Sequence, residues 1–253
     1  MKSTPGKKER KAPTAITSVS LAPIALEEAN NPHCTKACTI LAYAHESCSA
    51  ILGAYTLVKQ QRAATRGMTT DQEQDLLRAM LVMAAAGLDG MLKQLIRDTI
   101  KRLVPLDPGV KEGFETFVAR QIGTDAESFK KRSGAEFLAR VLTAPTPADE
   151  LIELYIEKLT GPSLQSANEL FNAANALGVA PHTVGIDKKN IQPIIDLRNK
   201  IIHEFDMNLS GQQRKRNLRK QKDMVANVDE LFKIGQGLLQ AVSGKLSERR
   251  AGT

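Results

Sequence analysis

The sequence predicts an all-α protein, an up-and-down helical bundle with additional helices inserted between its core helices. Three observations carry this. The chain has 253 residues, no Trp and three Tyr, and it is rich in Ala, Leu, Lys and Gln, which favour helices over strands. Its apolar residues recur three and four positions apart over long stretches, and no run alternates with the period of two that a half-buried strand requires. Thr or Ser followed three residues later by an acid opens several of those stretches, a helix-start signal. Hydrophobic residues make up 42% of the chain, enough to bury a core, and the length suits one large or two small domains.

Residues 1–31, punctuated by Pro5, Pro13 and Pro23, form a flexible basic tail, and residues 32–253 form the helical domain. A first helix is expected over 35–62, with Cys34, Cys38, Leu41, His45, Cys48, Leu52 and Tyr55 on one face. The segment TRGMTTDQE (65–73) turns the chain, and Thr70 with Glu73 has capping-box spacing. The strongest helical pattern follows over 71–103, with Leu77, Met80, Ala84, Leu88, Met91, Leu95, Thr99 and Leu103 on its inner stripe. The two glycines of GLDG (87–90) in that pattern suit close helix packing rather than phosphate binding, because no strand leads into them.

LVPLDPGV (103–110) breaks this helix. Shorter helices are expected over 111–122, 126–143, 148–159 and 164–177, and the region 105–185 reads as a helical insertion. Thr146 with Asp149 and Ser166 with Glu169 have capping-box spacing; Pro147 falls where proline is welcome, and the fourth helix starts at either Ser163 or Ser166. Residues 178–189 form a loop. A helix over 191–205 follows, with Asn190 as its cap and Pro193 in its first turn, and the last helix runs over 219–247. Val225, Val228, Leu231, Phe232, Leu238 and Val242 form its buried stripe.

The net charge is +7, concentrated in the tail and in residues 206–222, where Arg214, Lys215, Arg216, Arg219, Lys220 and Lys222 face a single acid, Asp206. A run of this kind is either a solvated segment or a contact for a polyanion, most simply phosphate. Three cysteines form no even disulfide framework, the basic N-terminus precedes no apolar signal segment, and the most apolar window, AMLVMAAAGLDGML (79–92), is interrupted by Asp89 and too short for a bilayer. A cytoplasmic protein with no membrane partner is expected.

The sequence LRNKIIHEFDMN (197–208) places a polar trio in an apolar segment. Ile191, Ile194, Arg198, Ile201 and Phe205 recur at helical spacing, so Arg198 takes a slot where leucine would serve. A buried unpaired guanidinium costs several kcal/mol, so an acid, a ligand phosphate or both must face it. Asp89 is the expected protein partner. Asn199 and His203 lie about 40° apart on the helix, whereas Arg198 and His203 lie about 140° apart and meet only if the long arginine curls toward a shared cleft. The trio is either a structural Arg–Asp pair with an incidental histidine or a site.

Arg198-Asn199-x3-His203 resembles the Arg-x(4–6)-His signature of the HEPN superfamily, and RNKIIHEFDMN is similar to the motif region of its RiboL-PSP-HEPN-like branch. LLRAMLVMAAAGLDGMLKQLIRD (76–98) is similar to the family's earlier core helix, with Asp89 in place of the more usual Glu. The resemblance covers about 70–104 and 188–245, and leaves out the tail and the middle helices. It implies a HEPN-like bundle and a metal-independent endoribonuclease needing no cofactor, often a toxin or antiviral effector, with an antitoxin or other regulatory protein as partner. The residues allow such chemistry: histidine can move protons in either direction near neutrality, arginine binds phosphate, and Asn199 can orient His203 or bond the substrate. Arg198, Asn199 and His203 are the candidate catalytic residues, with Asp89 supporting Arg198. One histidine does not easily serve as both acid and base, and a two-fold homodimer brings two copies to one cleft, the arrangement known in the family. Arg214, Lys215, Arg216, Arg219 and Lys220 would hold the RNA backbone, and no aromatic residue interleaves them to stack on bases. The rival reading is a non-catalytic HEPN-like dimerisation or nucleic-acid-binding module.

His33, Cys34, Cys38, His45 and Cys48 have the composition of metal ligands, but on one straight helix Cys38 and His45 stand about 10 Å apart along the axis, so no metal site is expected. Cys48 as a nucleophile beside His45 has no further support.

Overall fold

The computed structural model describes residues 19–62, 69–122, 132–208 and 215–248. Most of the basic tail, Arg214 and the start of the helix expected over 126–143 lie outside them. The described residues form eight α-helices, α1 Thr35–Gln61, α2 Asp71–Leu106, α3 Pro108–Ile122, α4 Arg132–Thr143, α5 Pro147–Thr160, α6 Ala167–Ala176, α7 Lys188–Glu204 and α8 Gln221–Glu248. Among the described residues there is no strand, only a bridge between Met207 and Arg216. The expected all-α class is therefore observed.

Helix α2 is the axis of the fold. Each member of its expected stripe, from Leu77 to Leu103, is buried. It packs against α1, α7 and α8, and its C-terminal half carries α3 and α5. Thr70 starts it with a capping box: its hydroxyl accepts from the Glu73 N–H, and the Glu73 carboxylate accepts from the Thr70 N–H. The helix runs a turn past the expected break, with Pro105 inside the last turn. An 18-residue window within it is apolar enough to cross a membrane by length and composition, but half of that window is buried inside the fold, as a core helix requires.

The α1–α2 contact is close because of Gly87. A Cβ there would fall 2.2 Å from the Ala44 Cβ, whereas one at Gly90 would meet Ile40 at an ordinary 3.5 Å. Helix α8 closes the other side with Val228, Phe232, Leu238 and Val242. Residues 21–31 lie along α8: the Ala22 N–H donates to Asp229, the Ala25 N–H to Gln236, and His45 of α1 bonds the Ala22 carbonyl at 2.9 Å.

The middle helices gather on the distal half of α2 around Tyr155, whose ring meets those of Phe114 and Phe117 at 5.5 and 5.1 Å. Ser166 and Glu169 form the expected capping box of α6. The second expected box does not form: Thr146 makes no side-chain cap, though Pro147 does occupy the first position of α5. Helix α7 also differs at its start. Asp187, not Asn190, caps it, with Oδ1 accepting from the Lys189 N–H at 2.9 Å, so Pro193 sits in the second turn. An aspartate two residues ahead of its bonded N–H is as good a cap as asparagine, and it competes three residues upstream.

Candidate functional site

Helix α7 lies on α2 through Ile191, Ile194 and Ile195, all buried. Arg198 continues this face, but only half-buried, and lines a small apolar cavity together with Ala85, Leu88, Leu164, Leu170 and Leu231. Its Nη1 donates to the Asn199 side-chain oxygen at 2.9 Å, and the Asn199 amide donates in turn to the Gln165 carbonyl at 2.8 Å. The Arg198 Nε is buried with no hydrogen-bond partner. Arg198 and Asn199 are thus brought together and tied to the loop ahead of α6.

Asp89 does not pair with Arg198. Its Oδ2 takes the Lys93 ammonium at 2.8 Å and its Oδ1 accepts from the Leu164 N–H at 3.1 Å. Lys93, one turn along the same helix, meets the carboxylate without leaving α2, and Leu164 lies beside both Asp89 and Arg198. The carboxylate is thereby satisfied before the guanidinium of α7 can reach it. Among the described residues no acid faces Arg198.

His203 is exposed in the last turn of α7, about 7.5 Å along the axis from Arg198. The apolar stripe then fails. Ile201 still packs against the core, but Phe205 is 70% exposed, because the chain leaves the helix there: Phe205 and Asp206 both take positive φ, 51° and 58°. Left-handed backbone at two successive non-glycine residues is costly, so something must hold it.

That something is Asp206, fully buried at 0% exposure. Its carboxylate accepts from Arg78 Nε at 3.0 Å, from Arg219 Nε at 2.9 Å and again from Arg219 Nη2, and from Asn217 Nδ2 at 3.0 Å. Arg78 completes its own set with Asp75 at 3.1 Å and the Asn217 carbonyl at 2.6 Å. Gln74 of the same helix accepts from the Arg219 N–H and donates to its carbonyl. Arg216 pairs with Asp75 at 2.5 Å and donates to the Phe205 carbonyl at 3.2 Å. Burial raises the Asp206 carboxyl, but the bonds from Arg219, Arg78 and Asn217 outweigh it and hold the group below the usual carboxylate range. The Arg216 hydrogen bond does the same for Asp75.

Two of the five basic residues expected to hold RNA, Arg216 and Arg219, are therefore engaged with acids of the fold. Lys215 and Lys220 are exposed, and Arg214 lies outside the described residues. In the sequence Asp206 stands only as a lone negative charge in a basic run, and Arg78 carries no expected role. The signal was present: Gln74, Arg78 and Leu81 share a helical face, so Arg78 breaks an apolar pattern as Arg198 does.

Elsewhere, burial pushes the Cys34 and Cys48 thiols up to about 12, and the Cys48 Sγ donates to the Met80 carbonyl at 3.4 Å. Neither is a thiolate at neutral pH. Among the described residues no three His, Cys, Asp or Glu side chains converge as metal ligands would. The chain matches no protein-family model, no curated protein and no solved structure.

Proposed function

We propose that this chain is a metal-independent endoribonuclease of the HEPN type, cleaving RNA at a site composed from two copies of the chain. The observation that carries the reading is the contrast among arginines at one end of the bundle. Arg78, Arg216 and Arg219 are each paired with aspartate, sharing Asp75 and Asp206, whereas Arg198 donates only to the neutral Asn199, one turn before an exposed histidine. A guanidinium without an acid is suited to an incoming phosphate.

In this reading the ribose 2′-OH attacks the adjacent phosphorus, its proton passes to one His203 imidazole, and the 5′-oxygen leaves with a proton from the other. Arg198 offsets the charge that grows on the phosphate oxygens. Asn199 holds Arg198 in place. A toxin or antiviral role with a controlling antitoxin partner follows from the same resemblance.

One observation favours the non-catalytic alternative. The chain Arg198–Asn199–Gln165 fastens α7 to the loop before α6, which a purely structural motif would also do. Incubation with total RNA and tRNA in EDTA separates the two. Cleavage by wild type and not by a folded His203→Ala protein supports the enzyme; intact RNA that is nonetheless bound supports the binding module.

A further inference from the structure

We infer that the cleft among α3, α5 and α6 binds a neutral, hydroxyl-rich small molecule, the size of a nucleoside or a disaccharide. The site lies in the middle helices, outside the segments that carry the resemblance, and stands independently of the ribonuclease reading.

The cleft encloses about 440 Å³, within the range of small-molecule sites, about 300–1,000 Å³. Its floor is Tyr155 of α5, a residue only 5% exposed. The ring is held edge-on by Phe114 and tilted against Phe117. The hydroxyl end is therefore what reaches the cleft, beside Gly113, where a Cβ would stand 3.2 Å from the oxygen. Among the described residues that hydroxyl has no hydrogen-bond partner. Buried hydroxyls are ordinarily bonded, so one that opens on a cleft is completed by what fills the cleft. Burial raises the phenol above its ordinary value, and it stays a neutral donor and acceptor.

The walls supply the other polar groups. Helix α3 presents Glu112, Thr116 and Arg120 one turn apart, a row about 12 Å long. Helix α6 presents Asn172 and Asn175. All five are exposed, and none of their side chains has a partner among the described residues.

Charge and hydrogen-bond chemistry decide the ligand. Glu112 and Arg120 cancel, so neither a polyanion nor a cation is complementary to the cleft. The remaining groups are hydroxyls and amides, each able to donate and accept. They match the hydroxyls of a sugar, or the ribose and base edge of a nucleoside. Leu159 and Ala176 add a small apolar surface for the face of a ring.

The test uses the full-length protein and calorimetric titration with two panels. One holds adenosine, guanosine, cytidine and uridine; the other holds glucose, maltose and trehalose. Saturable binding of a member of either panel is expected, and the panel it comes from names the source of the hydroxyls. Tyr155→Phe is expected to weaken that binding about 2- to 12-fold, with the melting temperature of the free protein unchanged because no bond is lost. Asn172→Ala combined with Asn175→Ala, on the exposed side of α6, is expected to weaken it at least ~5-fold. No binding by either panel at millimolar concentration overturns the inference. So does binding that both variants leave unchanged. A preference of about tenfold or more for adenosine 5′-monophosphate over adenosine overturns it as well, because the site would then select a charge.

Discussion

Arg78 and Asp206, 128 residues apart in the chain, meet side chain to side chain in the interior, Nε to Oδ2 at 3.0 Å. The contact joins the start of α2 to the turn that ends α7. Removing one partner of a buried pair strands the other charge, which costs about 3–5 kcal/mol. Asp206→Ala is expected to destabilise the protein by that amount, measured by urea denaturation, because Arg78 and Arg219 both lose their carboxylate. A loss under 1 kcal/mol would show that water reaches the pair.

The same residue sets a pH dependence. The Asp206 carboxyl is held below its ordinary range in the folded state, so the unfolded chain takes up its proton first as pH falls. The stability it contributes is complete above the unfolded value of about 3.9 and is lost as pH drops further, through the lower folded value. Wild type is expected to lose stability more steeply than Asp206→Asn as pH falls below about 4. Parallel curves for the two proteins would contradict the assignment.

Arg198 is expected to behave in the opposite way from Arg78. Its Nε is buried and unsatisfied, it lines a cavity walled by leucines, and no acid depends on it. Arg198→Leu removes an unpaired donor worth about 1–3 kcal/mol of penalty while giving up the single bond to Asn199. Its melting temperature should equal or exceed that of wild type, with RNA cleavage reduced at least ~100-fold. A folded protein that loses stability without losing activity would assign Arg198 to the scaffold.

Much of this architecture was legible in the residues. The α2 stripe, the capping boxes at Thr70 and Ser166 and the buried face of α8 follow from periodicity and side-chain chemistry within one helical turn. What was not legible depends on distance in the chain. Periodicity carried Phe205 into the core as the next member of a stripe, but the helix ends one residue earlier, and a left-handed turn secured by Arg216 and Asp206 points the ring outward. Asp89 and Arg198 both interrupt apolar runs, which suggests a pair; Lys93, one turn away on the same helix, takes the carboxylate instead. Thr146 had the right spacing for a capping box and makes no cap bond, since spacing says nothing of the backbone angles ahead of the helix.

Phe205 carries an expectation about the backbone. At φ 51° a side chain bearing Cβ is strained, and glycine is not. Phe205→Gly should leave stability unchanged or raise it by up to about 1 kcal/mol, even though it deletes a large side chain. A large destabilisation would mean that the ring is packed rather than exposed.

The two glycines of α2 separate close packing from mere helix weakness. Both sit in the helix interior, where replacing glycine by alanine normally stabilises by about 1 kcal/mol. At Gly90 the new Cβ would meet Ile40 at 3.5 Å, an ordinary contact, so Gly90→Ala should show that gain. At Gly87 it would lie 2.2 Å from the Ala44 Cβ, and neither atom is the end of a flexible chain that can swing aside. The α1–α2 backbones must separate, at a cost of about 1–3 kcal/mol or more. Gly87→Ala should therefore melt at a lower temperature than wild type while Gly90→Ala melts at a higher one. The double substitution Gly87→Ala with Ala44→Gly should recover most of the loss, because it moves the methyl group across the interface without adding one. Failure of that exchange to rescue would place the strain elsewhere than in the contact between these two residues.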